Sequence, residues 1–255
     1  MTPALETRGL TVRLGGREAL AQVDWRVMPG EVVGVVGPNG AGKSSLLRAC
    51  LGLVRYAGSA RLAGDETSGL SEPERARRAA YLPQERRVAW GIPARSVAEL
   101  GAVLRPRRER EAAADRALER VGLLHLADRG VFEMSGGERA RALLARLLAA
   151  EAPLIVADEP TSDLDPAAQL QVLELLREEA ARGAAVVTTL HELGLAASFC
   201  DRLLVLDRGC VAADAAPREA LSPEVLAATF GLSGRLVATE NGFVPVVRRA
   251  SPARG

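Results

Sequence analysis

With 255 residues, 48% hydrophobic and 25% charged, the chain has enough apolar material to bury a full core as one large domain with a subdomain. Lys and Arg number 33 against 32 Asp and Glu, a formal net charge of +1, so there is no global electrostatic case for a nucleic-acid partner. The N-terminus, MTPALETRGLTV, lacks a basic segment followed by an apolar run, and no charge-free stretch reaches bilayer-spanning length, so the polypeptide is expected to be cytosolic by itself and to reach a membrane only through a partner.

From Leu10 to Val27, two strand-like pieces, LTVRL and LAQVDWRV, are joined by Gly15-Gly16 and predict a hairpin. Pro29-Gly30 turns the chain into Val32, Val33, Val35 and Val36, a β-branched run suited to a buried parallel strand. Residues 37–45 then read GPNGAGKSS, and the following SLLRACLGL has helical spacing. The stretch fits G-x-x-x-x-G-K-[ST], with Gly37, Gly42, Lys43 and Ser44 in the required places and Pro38, Asn39, Gly40 and Ala41 between them. Glycines let the backbone wrap a phosphate chain, and successive N–H groups with the positive helix end hold its charge. Lys43 is then expected to reach the β- and γ-phosphates, Ser44 to ligate Mg²⁺, and Ser45 to complete the loop.

After this helix, Ala60 to Leu62 is a short strand candidate, and Ser71-x-x-Glu74 opens a helix ending near Arg78. Ala79 to Gln84 reads as a strand ending on a polar amide; taken alone, Gln84 is equally a surface glutamine. Residues 85–134 turn Arg- and Ala-rich, with helical periodicity in SVAELGAVL and EREAAADRALERVGLLHL, and predict an inserted helical subdomain. The basic run Arg105 to Arg110 is broken by Pro106 and Glu109 without interleaved aromatics, so it reads as a solvated loop and helix start. Trp90 and Phe132 read as packing residues, and His125 as a core or edge residue on an apolar helix face.

Met134-Ser135-Gly136-Gly137-Glu138 precedes the helical run RARALLARLLAAE and repeats the physics of the first anion site: free N–H groups, helix dipole and a hydroxyl. Alone it is also an ordinary cap. Leu154 to Ala157 is an apolar strand ending on Asp158 and Glu159, placed where a parallel sheet presents ligands; Asp158 is the expected Mg²⁺ partner and Glu159 is placed to polarise a water. Pro166 to Arg182 reads as an amphipathic helix, and Ala184 to Leu190 as a buried strand ending on His191. Arg202 to Asp207 and Cys210 to Ala213 form a last strand pair, followed by helices near Pro217 to Leu221 and Pro223 to Phe230. The tail predicts a hairpin around Asn241-Gly242, with fraying after Arg248. Cys50, Cys200 and Cys210 are widely spaced among apolar neighbours and form no ligand pattern with the histidines, so they read as small core residues.

Taken in order, GPNGAGKS, Gln84, SGGE, LIVADE, Ser162-Asp163-Leu164-Asp165 and His191 resemble the motif series of ATP-binding cassette (ABC) ATPases over nearly the whole chain. The resemblance implies an α/β P-loop fold with a mainly parallel sheet, an antiparallel β subdomain and an inserted helical subdomain. The expected segments are 1–84 (β subdomain and first half of the core), 85–134 (helical), 135–215 (second half of the core) and 216–255 (C-terminal helices and tail). It further implies a head-to-tail homodimer holding two ATPs, each between the phosphate loop of one subunit and Ser135, Gly136, Gly137 and Glu138 of the other. In that scheme Gln84 senses Mg²⁺ and the attacking water, Asp158 supports Mg²⁺, and Glu159 is the base. Asp163 and Asp165 cross the interface, and His191 holds the γ-phosphate.

Met134 and Glu138 replace the commoner Leu and Gln of the signature, and Leu14 stands where the family usually has an aromatic stacked on adenine. ARRAAYLPQERRVAW and APREALSPEVLAATFGL are similar to the ATPases of iron-siderophore, haem and cobalamin importers. The implied partners are a membrane permease docked on the helical subdomain and, indirectly, a periplasmic binding protein. The implied location is the cytoplasmic face of the cell membrane. The competing class is another type of ABC transporter, or a soluble ABC protein of ribosomes or DNA, whose usual second cassette or long coiled-coil insertion this chain lacks.

Overall fold

A computed structural model describes residues 1–84 and 91–250. Trp90 and the stretch beyond Ala250 lie outside the described residues. Strand β1 (Leu5–Leu14) pairs antiparallel with β2 (Arg17–Val27) across Gly15-Gly16. β1 starts earlier than the hairpin signal suggests, because Leu5 and Thr7 already alternate inward with Leu10 and Val12. Strand β3 (Val32–Val36) and helix α1 (Lys43–Cys50) follow, then β4 (Ala57–Leu62) and β5 (Asp65–Glu66), which complete a four-stranded antiparallel sheet in the order β2-β1-β4-β5.

Helix α2 (Glu72–Arg78) begins with a complete Ser71–Glu74 capping box and leads into β6 (Ala79–Leu82). Next come α3 (Ala94–Glu99), α4 (Arg107–Arg120), α5 (Gly136–Ala149), β7 (Leu154–Ala157), α6 (Pro166–Ala181), β8 (Ala185–Thr189) and α7 (Leu193–Phe199). The chain continues through β9 (Arg202–Asp207), β10 (Cys210–Ala215), α8 (Pro217–Ala220) and α9 (Pro223–Phe230). It ends in the hairpin of β11 (Leu232–Thr239) and β12 (Gly242–Arg249). The central sheet runs β10-β9-β3-β8-β7-β6, parallel throughout except for the β9–β10 pair.

This sheet separates two apolar clusters, which explains why β3 is valine-rich rather than alternating. Val33 and Val35 pack toward α1 and the antiparallel sheet, whereas Val32 and Val36 pack with the residues of α5, α6 and α7. The alanine-rich pattern read between 85 and 134 serves close helix packing: Ala94, Ala98, Ala113, Ala114 and Ala117 are all buried where α3, α4 and α5 meet.

Four sequence expectations need correction. The helix read through EREAAADRALERVGLLHL stops at Arg120, because Gly122 adopts φ +69°, with its N–H bonded to Glu119 O and that of Leu123 to Leu118 O. His125 therefore sits exposed in a 3₁₀ turn, not on an apolar helix face. Phe132 is 56% exposed, its ring lying beside Gly91 rather than in the core. Cys210 is exposed on β10, the antiparallel edge of the sheet; Cys50 and Cys200 are core residues as expected, and burial pushes the Cys200 thiol up to about 12.

Helix α4 is tied to α6 by Arg120, which meets Glu179 Oε1 at 2.5 Å and Glu178 Oε2 at 3.1 Å. Glu179 is buried and also accepts from Arg182 at 2.9 Å. Glu179→Ala is expected to cost about 1–3 kcal/mol, since it takes one of two carboxylates from Arg120 and the partner of Arg182, while Arg120→Met with Glu179→Leu recovers most of the loss. Urea midpoints of the two variants check this.

Candidate active site

The phosphate loop folds over the end of β3 through backbone that only glycine supplies. Gly37 has φ +153°, and a methyl there would lie 2.2 Å from Leu206 O; Gly42, the residue before α1, has φ +104° and a methyl position 2.6 Å from Ala19 O. Lys43 is buried within the loop and donates to Gly37 O at 2.8 Å and Pro38 O at 3.2 Å. Burial lowers its pKa, opposed by the nearby Glu159 and Asp158 carboxylates.

An open cavity of about 390 Å³ lies over this loop, lined by Asn39, Gly40, Gly42, Lys43, Ser44, Ser45, Ala19, Gln84, Glu159 and His191. The sequence separates these residues by more than 150 positions, and the parallel strand ends bring them together. Glu159, at φ +52° just beyond β7, is 8% exposed. Its Oε2 accepts from Gln84 Nε2 at 2.8 Å, and its Oε1 lies 2.6 Å from His191 Nε2. One carboxylate thus joins the ends of β6, β7 and β8.

Asp158 lies beneath the cavity with no exposed surface. Its Oδ1 accepts from Thr189 Oγ1 at 2.7 Å, and the same hydroxyl oxygen accepts from the Glu159 N–H at 2.7 Å. Thr189 has no distinctive signal in the sequence, where it reads as one more β-branched residue of β8, two positions ahead of the strand-end histidine. Asp158 Oδ2 is buried without a hydrogen-bond partner among the described residues. That orphaned oxygen, together with the Ser44 hydroxyl, fits Mg²⁺, a cation that prefers hard oxygen donors and keeps waters or phosphate oxygens for the rest. Among the described residues no group of three or more His, Cys, Asp or Glu could hold a metal unaided.

The second anion motif stands apart from this cavity. Ser135 caps α5, with its hydroxyl accepting from Glu138 N at 3.3 Å and its own N–H donating to Glu138 Oε2 at 2.8 Å. The Ser135 amide, and after it the Ser135 side chain, hydrogen-bond the Glu138 carboxyl and hold it below its ordinary value. The N–H groups of Gly136 and Gly137, in the first turn of α5, have no carbonyl partner within the helix. Asp163 is exposed at φ +61°, and Asp165 caps α6 by accepting from Ala168 N at 2.9 Å. Within one chain, none of these six residues lines the cavity. Leu14, at the hairpin end of β1, is 47% exposed and is also not among the lining residues.

A phosphate loop between a parallel strand and a helix, a buried strand-end Asp-Glu pair and a histidine on the next strand define a P-loop nucleotide-binding cassette. Its capped Ser-Gly-Gly helix stands apart from that cavity. The chain belongs to the ABC transporter family, whose sequence profile matches residues 20–162. It is 43% identical over 234 residues to the cobalamin import ATP-binding protein BtuD of Halobacterium salinarum, covering 89% of this chain and 58% of that one. It is 45% identical over 239 residues to the hemin import ATP-binding protein HmuV of Nocardia farcinica, covering 89% and 82%.

Among solved structures, a metal-chelate type ABC transporter in an inward-facing conformation superposes with TM-score 0.81 at 28% identity, covering 96% of this chain and 98% of that one. A dimeric ATP-binding cassette in a post-hydrolysis state, bound to ADP and Pi, gives TM-score 0.75 at 26% identity, with 84% and 99% covered.

Thr189→Val keeps the shape of the side chain but leaves Asp158 Oδ1 and the Glu159 N–H without their shared partner. It is expected to cost about 1–3 kcal/mol in a denaturant titration, and Thr189→Ser should recover most of that.

Proposed function

We propose that this chain is the ATP-hydrolysing subunit of an importer for a metal chelate of the cobalamin, haem or iron-siderophore class. The observation that carries the reading is Glu159, held between Gln84 and His191 at the mouth of the phosphate loop. The carboxylate is placed to take a proton from water, Gln84 to orient that water, and His191 to touch the terminal phosphate. Lys43 and the loop N–H groups neutralise the charge on the phosphates. Mg²⁺, held through Ser44 and the Asp158 side, with Gln84 alongside, supplies further charge neutralisation when bound.

Ser135, Gly136 and Gly137 lie away from the cavity of their own chain, which supports a head-to-tail homodimer in which each site borrows them from the partner subunit. The exposed Asp163 and Asp165 then belong to that interface. The 85–134 segment is read as a helical unit carrying the signature. Among the described residues no helix is long and apolar enough to cross a membrane. A membrane permease docked on the helical unit, with this subunit at the cytoplasmic face of the membrane, belongs to the same reading. The importer names of the relatives support the cargo class, with delivery by a periplasmic binding protein part of the same reading.

The permease contact is assigned to a groove of about 360 Å³ between β6 and the turn after α3. It is lined by Tyr81, Leu100, Val103, Leu104, Arg105 and Arg146. Leu100, Val103 and Leu104 are 55%, 52% and 42% exposed, an apolar strip flanked by arginines.

Glu159→Gln keeps shape and hydrogen bonding but removes the negative charge, so turnover should fall by roughly 10²–10⁴-fold while ATP binding persists and an ATP-bound dimer accumulates on gel filtration. Wild-type turnover in this variant rules out Glu159 as the base. Leu104→Glu should leave the ATPase rate of the isolated subunit unchanged and abolish co-purification with the permease; retained co-purification places the contact elsewhere.

A further inference from the structure

The C-terminal hairpin lies beyond the 20–162 match and contributes nothing to the nucleotide cavity, yet it is built tightly onto α7, the helix that begins two residues after His191. Helix α7 has little to hold it by itself. It has seven residues, a glycine in its first turn, and no side-chain cap from Glu192. Its position must therefore come from what packs on it.

The hairpin supplies that contact at both ends of the helix. Ser198 Oγ donates to Gly194 O at 2.8 Å and accepts from the Phe243 N–H at 2.8 Å, so one hydroxyl joins the helix backbone to β12. At Gly194, a methyl would lie 3.1 Å from Pro245 Cδ and 3.2 Å from Phe243 O. At Gly242, with φ +124°, a methyl would lie 2.4 Å from Ser198 Oγ. At Gly242 the two elements approach more closely than a side chain allows, and at Gly194 a methyl would be tight. Leu236 is buried midway along β11, opposite Pro245, and Phe243 and Val247 pack on the core beside α7.

We propose that the β11–β12 hairpin is a clamp on α7, and that Ser198 is a positioning residue which, through that helix, holds His191 in place for the terminal phosphate of the nucleotide. This rests on reading His191 as the γ-phosphate contact. Because His191 meets only the third phosphate, loosening the clamp weakens ATP and spares ADP.

The experiment measures affinities of the full chain for ADP and for the imido analogue of ATP, both with Mg²⁺, in wild type, Ser198→Ala, Gly242→Ala, His191→Ala and the Ser198→Ala/His191→Ala pair. Ser198→Ala and Gly242→Ala should each lower the preference for the triphosphate by about three- to tenfold, what one hydrogen bond contributes, with ADP affinity unchanged. The pair should lose no more than His191→Ala alone, since the two act through one group. If His191→Ala lowers the preference and the hairpin variants do not, the clamp is wrong. If His191→Ala has no effect, the γ-phosphate reading fails and the clamp with it. Equal losses for ADP and the triphosphate reduce the hairpin to a stabilising cover and overturn the proposal. Should Gly242→Ala fail to fold, Ser198→Ala, which deletes a single hydroxyl, carries the test.

Discussion

A carboxylate with no exposed surface has to be hydrogen-bonded, neutralised or protonated, and Asp158 imposes that constraint on the centre of this molecule. Thr189 meets half of it from the neighbouring strand and uses the same oxygen to receive the Glu159 amide. The other carboxylate oxygen has no hydrogen-bond partner among the described residues. The strand order follows from this demand: β7 has to lie beside β8 to bring Thr189 to Asp158, and β8 beside β3 to bring His191 over the phosphate loop. The two apolar clusters flanking the sheet hold those strands in register, so burial on both faces serves one polar arrangement at the strand ends.

The backbone at the site is bent for the same purpose. Glu159 and Asp163 both adopt positive φ without being glycine, a conformation that persists only where surrounding contacts fix it. Around Glu159 those contacts include Thr189, Ser162, whose Oγ donates to Glu159 O at 3.1 Å, and the Gln84 and His191 side chains. The turn aims the carboxylate out of the sheet and over the loop.

Much of this was legible in the sequence, for identifiable reasons. The phosphate loop, the Asp158-Glu159 pair and His191 are polar interruptions of otherwise apolar strands, and such interruptions stand out against burial. Thr189 did not, because a threonine at the end of a β-branched strand looks like β propensity, and only the cross-strand register shows that its hydroxyl has two partners. His125 was misplaced because apolar periodicity continues through Leu123, Leu124 and Leu126 after the backbone has left the helix; Gly122 was the stop signal, and the leucines outweighed it. Phe132 was read as packing from its residue type alone, yet the turn around it buries Val131 and Met134 instead. The tail hairpin was visible from Asn241-Gly242, but its contact with α7 depends on two glycines, and a missing side chain gives no pattern to read.

Helix α5 has a mechanical consequence. Its N-cap is Ser135, at the anion motif, and its far end carries Arg146 and Leu147 to the edge of the groove beside β6. Fourteen helical residues make a rod roughly 21 Å long, and a hydrogen-bonded helix is stiff along its axis. The two ends cannot change their separation without breaking backbone bonds, so a displacement along the axis at the Ser135 end reaches the Leu147 end undiminished.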